Sequence, residues 1–359
     1  MSDIKVIGKG TYSNVISPPL YCLISSNCIN YINDNQLTNQ YQNDVSKLFK
    51  TSEKKDEFED ETEILKKIIS IPNYTDFTVE VKGAFRFYKY DLYDNKNIYE
   101  KLCHTLTGNY HNDPIYQIIF SNGGICINKI QERIPFSKCI NMLKNLLLGI
   151  EKLNHHNIIH RDIKPANVLY DGNKLNLIDF GLSCDKSEVY DYTINKYILE
   201  YQYAYHPPEF YICNLLYSHH SIFNFKTNLK TVFDILTDIN SSIFKEFYKE
   251  HSDIWELLHV KLSKEDYIRD FQDFYQDIQN NENIKNINEI FDEEIVCKCD
   301  VFSFSFILST LRDKIIFENA AQNEDYDCLF DMSYKLNPYK RCTINDLLFF
   351  INMMEYDKC

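Results

Sequence analysis

The apolar positions along this chain change period several times, and the changes divide it into two unlike parts. Ile4-Lys5-Val6-Ile7 and Val45-Ser46-Lys47-Leu48-Phe49 read as strands. Between them, Ser17-Pro18-Pro19 opens a polar, Asn-rich stretch running to about Asp44. Each proline removes a ladder donor, so this stretch is expected to be an inserted loop. From Lys54 to Ile69 the period becomes helical, with Ile64, Leu65, Ile68 and Ile69 apolar. Phe77 to Gly83 alternates like a strand, a Tyr-rich polar insert follows, and Ile115–Phe120 reads as a buried strand. Beyond it, Ile140, Leu143, Leu147, Ile150 and Leu153 recur at helical spacing and belong to a core.

Two further stripes follow. Leu229, Val232, Phe233, Leu236 and Ile239 make one; Tyr267, Phe271, Phe274 and Ile278 make the other, with Ser263-Lys264-Glu265-Asp266 as its cap. An apolar run after Asp300 predicts a buried helix, and Thr343-Ile344-Asn345-Asp346 is a capping box for a last helix burying Leu347, Leu348 and Ile351. Strands crowd residues 1 to about 120 and helices the remainder, an α+β arrangement.

Composition narrows this picture only at a few points. The chain has 359 residues, 44% of them hydrophobic, with 27 Tyr and 24 Phe, so it has ample means to bury a core. A net charge of −14 offers no basic surface for a phosphate backbone, so no nucleic-acid partner is expected. Acidity of this size keeps a protein soluble and steers basic partners toward it. The 12 Cys are scattered apart from Cys297-Lys298-Cys299 and follow no zinc-ligand spacing, which suits reduced thiols in a cytoplasmic compartment. No leader precedes the first strand and no apolar run approaches the ~18 residues of a membrane span, so a soluble protein is expected.

The chemistry lies in His160-Arg161-Asp162-Ile163-Lys164-Pro165-Ala166-Asn167, followed by Asp179-Phe180-Gly181. These supply basic groups, two carboxylates and an amide in the order that holds magnesium and orients a hydroxyl against an ATP γ-phosphate. Upstream, Gly8-Lys9-Gly10-Thr11-Tyr12-Ser13-Asn14-Val15 resembles a glycine-rich phosphate loop with Ser13 for its third glycine. Downstream, Tyr205-His206-Pro207-Pro208-Glu209 and Pro338-Tyr339-Lys340-Arg341 are similar to two late motifs of the same family. The chain resembles the serine/threonine protein kinases of eukaryotic type, from Ile4 to about Met353. Its Ser-Pro-Pro segment, lysine strand and long insertion together look like those of the serine/threonine kinases of large cytoplasmic DNA viruses.

That resemblance implies a bilobal kinase fold. A β-rich N-lobe with a C-helix spans about 1–120, a mostly helical C-lobe about 125–359, and a helical insertion about 211–298. It implies ATP and Mg2+ as cofactors and protein Ser/Thr hydroxyls as substrates. Gly8 and Gly10 would let the backbone approach the phosphates, and Val15 would cover the adenine. Lys47 would pair the α/β-phosphates, with Lys50, Lys54 and Lys55 as rivals. Glu61 would be its partner, with Glu57, Glu59 and Glu63 as rivals. Ser121-Asn122-Gly123-Gly124 would be the adenine-reading hinge. Asp162 would act as base, Lys164 would neutralise the transferring phosphoryl, and Asn167 and Asp179 would hold magnesium. Phe180 would pack and Gly181 would let the loop turn.

His160 is expected to be a packing residue. Arg161 would clamp a phosphorylated residue such as Ser183, Ser187 or Thr193. Glu209 and Arg341 would form a buried structural pair, and Asp300 would brace the catalytic-loop backbone, with Asp253 of Ser252-Asp253-Ile254-Trp255 as rival. Gln202 stands where the family commonly has a threonine. The insertion would pack on the C-lobe or offer a docking surface. A pseudokinase scaffold and a small-molecule kinase are the remaining alternatives, although Lys47, Asp162, Asn167 and Asp179 are all present.

Overall fold

The structure is a computed structural model that describes residues 5–9, 13–20, 29–32, 43–49, 54–88, 114–190, 205–218, 225–245, 248–249, 263–290 and 292–356. The chain forms two compact units, Met1–Gly124 with Ile178–Leu182, and Ile125–Leu177 with Ser183–Cys359.

The first unit is built on a six-stranded antiparallel sheet. Its strands are β1 (Lys5–Lys9), β2 (Ser13–Ser17), β3 (Ile29–Asn30), β4 (Val45–Phe49), β5 (Val81–Tyr88) and β6 (Pro114–Phe120), in the order β1-β2-β4-β6-β5-β3. Register sorts the faces: Val15 and Ile118 flank Lys47 on one, and Leu48 and Gln117 are neighbours on the other. The helix α1 (Lys55–Ile69) packs on the Lys47 face, burying Phe58, Glu61, Thr62, Leu65 and Ile68 at helical spacing.

Two expectations are corrected here. The stretch after Ser17 does not leave the sheet as a plain loop. Leu20 is fully buried, and the Gln117 side chain accepts from its N–H (2.9 Å) and donates to its carbonyl (3.1 Å). An amide carries one donor end and one acceptor end, which is what a lone backbone unit needs. Farther along the same stretch, β3 adds an edge strand beside β5. The alternation from Phe77 to Gly83 does mark buried side chains, but the strand runs from Val81 to Tyr88. Phe77 and Thr78 instead donate their N–H groups back to the Tyr74 carbonyl, closing a turn.

The second unit contains β7 (Ile125–Cys126), β8 (Ile134–Pro135), α2 (Phe136–His155), β9 (Ile158–Ile159), β10 (Val168–Tyr170), β11 (Leu175–Leu177) and β12 (Cys184–Asp185). These are followed by α3 (Lys186–Tyr190), α4 (Pro208–Ser218), α5 (Phe225–Thr237), α6 (Lys264–Asn280), α7 (Glu293–Arg312), β13 (Ile315–Ile316), α8 (Ala320–Ser333) and α9 (Ile344–Tyr356). The short strands pair β11-β10-β7, β12-β9 and β13-β8. All five apolar positions expected along α2 are buried. In α7 every residue from Lys298 to Leu308 is buried, as befits a central helix. The capping box opens α9: Asp346 N–H donates to Thr343 Oγ1 (3.2 Å) and Thr343 N–H donates to Asp346 Oδ2 (2.8 Å).

The helices expected for the insertion pack into this core. Leu229, Val232, Phe233 and Leu236 of α5, and Tyr267, Phe271, Phe274 and Ile278 of α6, share one apolar cluster with Cys299, Phe302 and Phe306 of α7. Phe233 meets Phe274 at 5.6 Å and Tyr275 at 5.0 Å between ring centroids. Ile239, expected on the α5 stripe, is 42% exposed. The helix ends at Thr237, where Asp238 turns the chain by accepting the Asn240 N–H at 2.9 Å.

Candidate active site

The first unit presents a cation held by two carboxylates. Lys47 stands in mid-strand on β4, and its Nζ lies 2.6 Å from Glu61 Oε2 and 2.6 Å from Asp179 Oδ1. The rival glutamates face elsewhere: Glu57 meets Lys54, Glu59 meets Lys55 and Glu63 meets Lys66, all on the outer side of α1. Burial works against the Lys47 charge, but Asp179 and then Glu61 outweigh it and hold the ammonium above the usual lysine range. Burial also pushes the Glu61 carboxyl up against the pull of Lys47. Lys50, the remaining lysine rival, lies outside the described residues.

Asp179 sits at φ +66°, a left-handed conformation uncommon for a residue with a side chain. Phe180 beside it is buried. Gly181 has a purpose that sequence alone did not reveal. A Cβ there would stand 3.3 Å from Glu61 Oε2 and 3.5 Å from both Asp179 Oδ1 and Lys47 Nζ. Glycine at 181 therefore makes room for the ion cluster, beyond any need to turn the chain. On β1, Gly8 pairs with Val15, and a Cβ on it would meet the Val15 Cβ at 3.4 Å, an ordinary van der Waals contact. Val15 in turn neighbours Lys47 across β2 and β4, so Gly8, Val15 and Lys47 follow one another along the sheet. Gly10 lies outside the described residues.

The second unit presents the carboxylate and its escorts. Asp162 is buried, and its Oδ2 accepts from Lys164 Nζ (2.9 Å) and Asn167 Nδ2 (2.7 Å). Asn167 also donates to the Asp162 carbonyl at 3.0 Å, inside a turn started by Pro165. Since its amide nitrogen is committed to Asp162, the Asn167 atom suited to a metal is the carbonyl oxygen. Asp300 on α7 holds the loop from below, accepting from the N–H of His160 (2.8 Å) and of Arg161 (2.9 Å). Burial pushes its carboxyl up to about 6, although those two N–H groups pull the other way. Its rival, Asp253, lies outside the described residues.

His160 is fully buried, and its Nδ1 accepts the Asp162 N–H at 3.1 Å, a structural role. Arg161, at φ +63°, places its guanidinium 5.7 Å from the Phe210 ring centroid. Ser183 donates to the His160 carbonyl, and Ser187 donates to Asp185. Thr193 and Gln202 lie outside the described residues. Glu209 and Arg341 form a bidentate pair of 2.6 and 3.1 Å with both side chains at zero exposure. Ser303 of α7 ties the segment before Glu209 by donating to the Tyr205 carbonyl at 2.9 Å.

These parts now have a family. Residues 45–222 match the family model described as the protein kinase domain. This chain carries a protein kinase domain. The match opens at β4 and closes after α4, so Gly8 and Val15 fall before it and Asp300 and Arg341 after it. Similar curated proteins are kinases. CTD kinase subunit alpha of Saccharomyces cerevisiae is 39% identical over 87 residues, 24% of this chain and 16% of that protein. A probable serine/threonine-protein kinase of Dictyostelium discoideum is 38% identical over 85 residues, 23% of this chain and 18% of its own length. Mitogen-activated protein kinase kinase kinase 8 of Rattus norvegicus is 29% identical over 125 residues, 34% and 24% of the two chains. The aligned part thus spans no more than about a quarter of these relatives. With a β-sheet unit followed by a helical unit, the kinase domain here has the bilobal α+β kinase fold.

Proposed function

We propose that this chain is a serine/threonine protein kinase that moves the γ-phosphoryl of ATP onto protein hydroxyl groups. The observation that carries the reading is the Asp162 carboxylate, held by Lys164 and Asn167 in the loop braced by Asp300. A hydroxyl aligned on Asp162 attacks the γ-phosphorus, the bond from that phosphorus to the β,γ-bridging oxygen breaks, and the hydroxyl proton passes to Asp162. Lys164 neutralises charge on the phosphoryl group in transit. Lysine two places after the aspartate is the serine/threonine arrangement. Lys47, fixed by Glu61, reaches the α/β-phosphates.

Each unit carries an oxygen ligand of the kind magnesium takes: in the first, the Asp179 carboxylate with 41% of its side chain exposed, and in the second, the Asn167 amide oxygen. Among the described residues no cluster of three or more His, Cys, Asp or Glu forms a metal cage of its own. Magnesium asks for one or two hard oxygen ligands from protein and takes the rest from phosphates and water. Bound there, it would offset phosphate charge.

The partners we propose are proteins bearing Ser or Thr. The insertion is read as part of the C-lobe core, because the apolar stripes of α5 and α6 face inward; a docking partner on its outer surface is the second reading. No helix among the described residues is long and apolar enough to cross a membrane. A cytoplasmic setting, in a host cell or a virion, and kinship with the kinases of large DNA viruses complete the proposal on the sequence features given above.

The test is Mg-ATP-dependent phosphate incorporation, read by intact mass, into the chain itself and into basic and acidic proteins. Phosphoserine or phosphothreonine is expected, with transfer falling by about 10²–10⁴ in Asp162→Asn. Tight, magnesium-dependent ATP binding without transfer would instead mark a pseudokinase scaffold.

A further inference from the structure

Phe58 of α1 is fully buried in a box of three rings. Phe49 of β4 lies 5.4 Å from it, Tyr116 of β6 lies 4.9 Å away, and Tyr31 meets it edge-on at 5.3 Å and 88°. Two of these rings come from central strands of the sheet. The third comes from the stretch between Pro19 and Asp44 that the chain inserts ahead of β4. The backbone around Tyr31 is anchored, since β3 pairs with Phe85 and Arg86 and the Tyr31 N–H donates to the Ala84 carbonyl at 2.7 Å.

Phe58 and Glu61 are three positions apart and so share one face of α1. A turn of α1 by one residue, about 100°, would carry Glu61 off that face and away from Lys47. Whatever fixes Phe58 therefore fixes the azimuth of the helix. We propose that Tyr31 is a positioning residue: the inserted stretch clamps α1 through the Tyr31–Phe58 contact, so the Lys47–Glu61 pair forms within the chain and needs no partner protein to set it. Tyr31 governs catalysis only if the kinase reading above holds, whereas its grip on α1 stands on the geometry.

The experiment compares the full chain with Tyr31→Ala and Tyr31→Phe, well below their melting temperatures. Hydrogen–deuterium exchange of α1 is followed beside steady-state transfer from Mg-ATP to a basic protein such as a histone. Tyr31→Ala is expected to speed exchange around Glu61 about tenfold and to lower kcat about tenfold, the range of one aromatic contact, with little change in KM for the protein substrate. Tyr31→Phe keeps the ring and restores both. In a Glu61→Gln background, Tyr31→Ala costs no further kcat, which a general loss of stability would not reproduce. If Tyr31→Ala does not fold, Tyr31→Leu, which keeps apolar bulk without the ring edge, is expected to show the same faster exchange. Unchanged α1 exchange in the folded variant overturns the clamp, and so does an equal kcat loss with and without Glu61. If even the unaltered chain transfers no phosphate, the kinase reading falls, and the exchange result alone decides the clamp.

Discussion

Arg341→Met tests the structure at its most demanding point. All five guanidinium N–H groups of Arg341 are used: Nη1 donates to Glu209 Oε1 (2.6 Å) and the Lys298 carbonyl (3.1 Å). Nη2 donates to Glu209 Oε2 (3.1 Å) and the Lys335 carbonyl (2.8 Å), and Nε also reaches Lys335 (3.0 Å). The Phe302 ring lies 4.9 Å beneath. Methionine fills similar length but leaves Glu209 at zero exposure with no cation beside it among the described residues, where its other donor is the Cys299 thiol at 3.7 Å. Breaking a buried pair on one side costs about 3–5 kcal/mol. For a unit of this size that corresponds to a fall of about 6–20 °C in Tm.

The assay is urea unfolding followed by far-ultraviolet circular dichroism, with Glu209→Gln and the double variant alongside. The double variant should be less destabilised than the sum of the singles by about 2 kcal/mol. Additive singles, or a cost for Arg341→Met below about 1 kcal/mol, would falsify the buried-pair account.

Three further outcomes follow from the site. Lys47→Met should abolish transfer and destabilise the first unit, because Glu61 is 2% exposed and loses its only close cation among the described residues; Lys47→Met/Glu61→Gln should melt higher than Lys47→Met, and a lower melt would count against the pairing. Gly181→Ala should weaken Mg-ATP binding roughly three- to tenfold in a fluorescent-analogue titration, since its Cβ crowds Glu61 Oε2 at 3.3 Å, and unchanged affinity would refute the close approach. Asp300 folds with its carboxyl raised from near 3.8 to about 6, so its stabilising contribution is present below the unfolded value and lost as pH climbs through the folded one. Measured against Asp300→Asn in urea melts, the parent should lose up to about 3 kcal/mol between pH 4 and pH 7, and a flat difference would contradict the burial.

What could be read in the sequence was whatever chemistry or burial forces into a short span. The run from His160 to Asn167 needs its residue types at fixed offsets, and the structure places Lys164 and Asn167 on one Asp162 oxygen. Helical stripes were legible because one face of each helix must be apolar, yet period carries no stop signal, so the α5 stripe ran on to Ile239. The stop was written locally, in an Asp238 that caps a turn. Long-range polar pairing left a trace without an address. Gln117 is a polar residue inside an apolar strand, but nothing near it in sequence names its partner, Leu20, 97 positions away. Tyr31 carried no sign at all, because an aromatic residue in an Asn-rich stretch looks the same whether it meets Phe58 or water.

The insertion shows why local legibility stops short of function. Its helix α6 is apolar toward α7 but carboxylate-rich on a flank, where Asp277 accepts from Asn337 at 2.7 Å and Asp273 meets Lys340. Those partners belong to the segment that delivers Arg341 to Glu209. Insertion and buried pair are thus one mechanical assembly, and removing the insertion would strip support from Arg341 as well as any docking surface. Deletion therefore cannot separate the two readings. The outward face of α6, with Glu265, Arg269, Gln272, Gln276 and Gln279 exposed at helical spacing, can. Charge reversal at Glu265 and Arg269 leaves the flank that holds Asn337 and Lys340 intact. If such a variant melts like the parent and phosphorylates every protein substrate equally well, the outer face of α6 is not a docking surface. Loss of one substrate with autophosphorylation preserved would establish that it is.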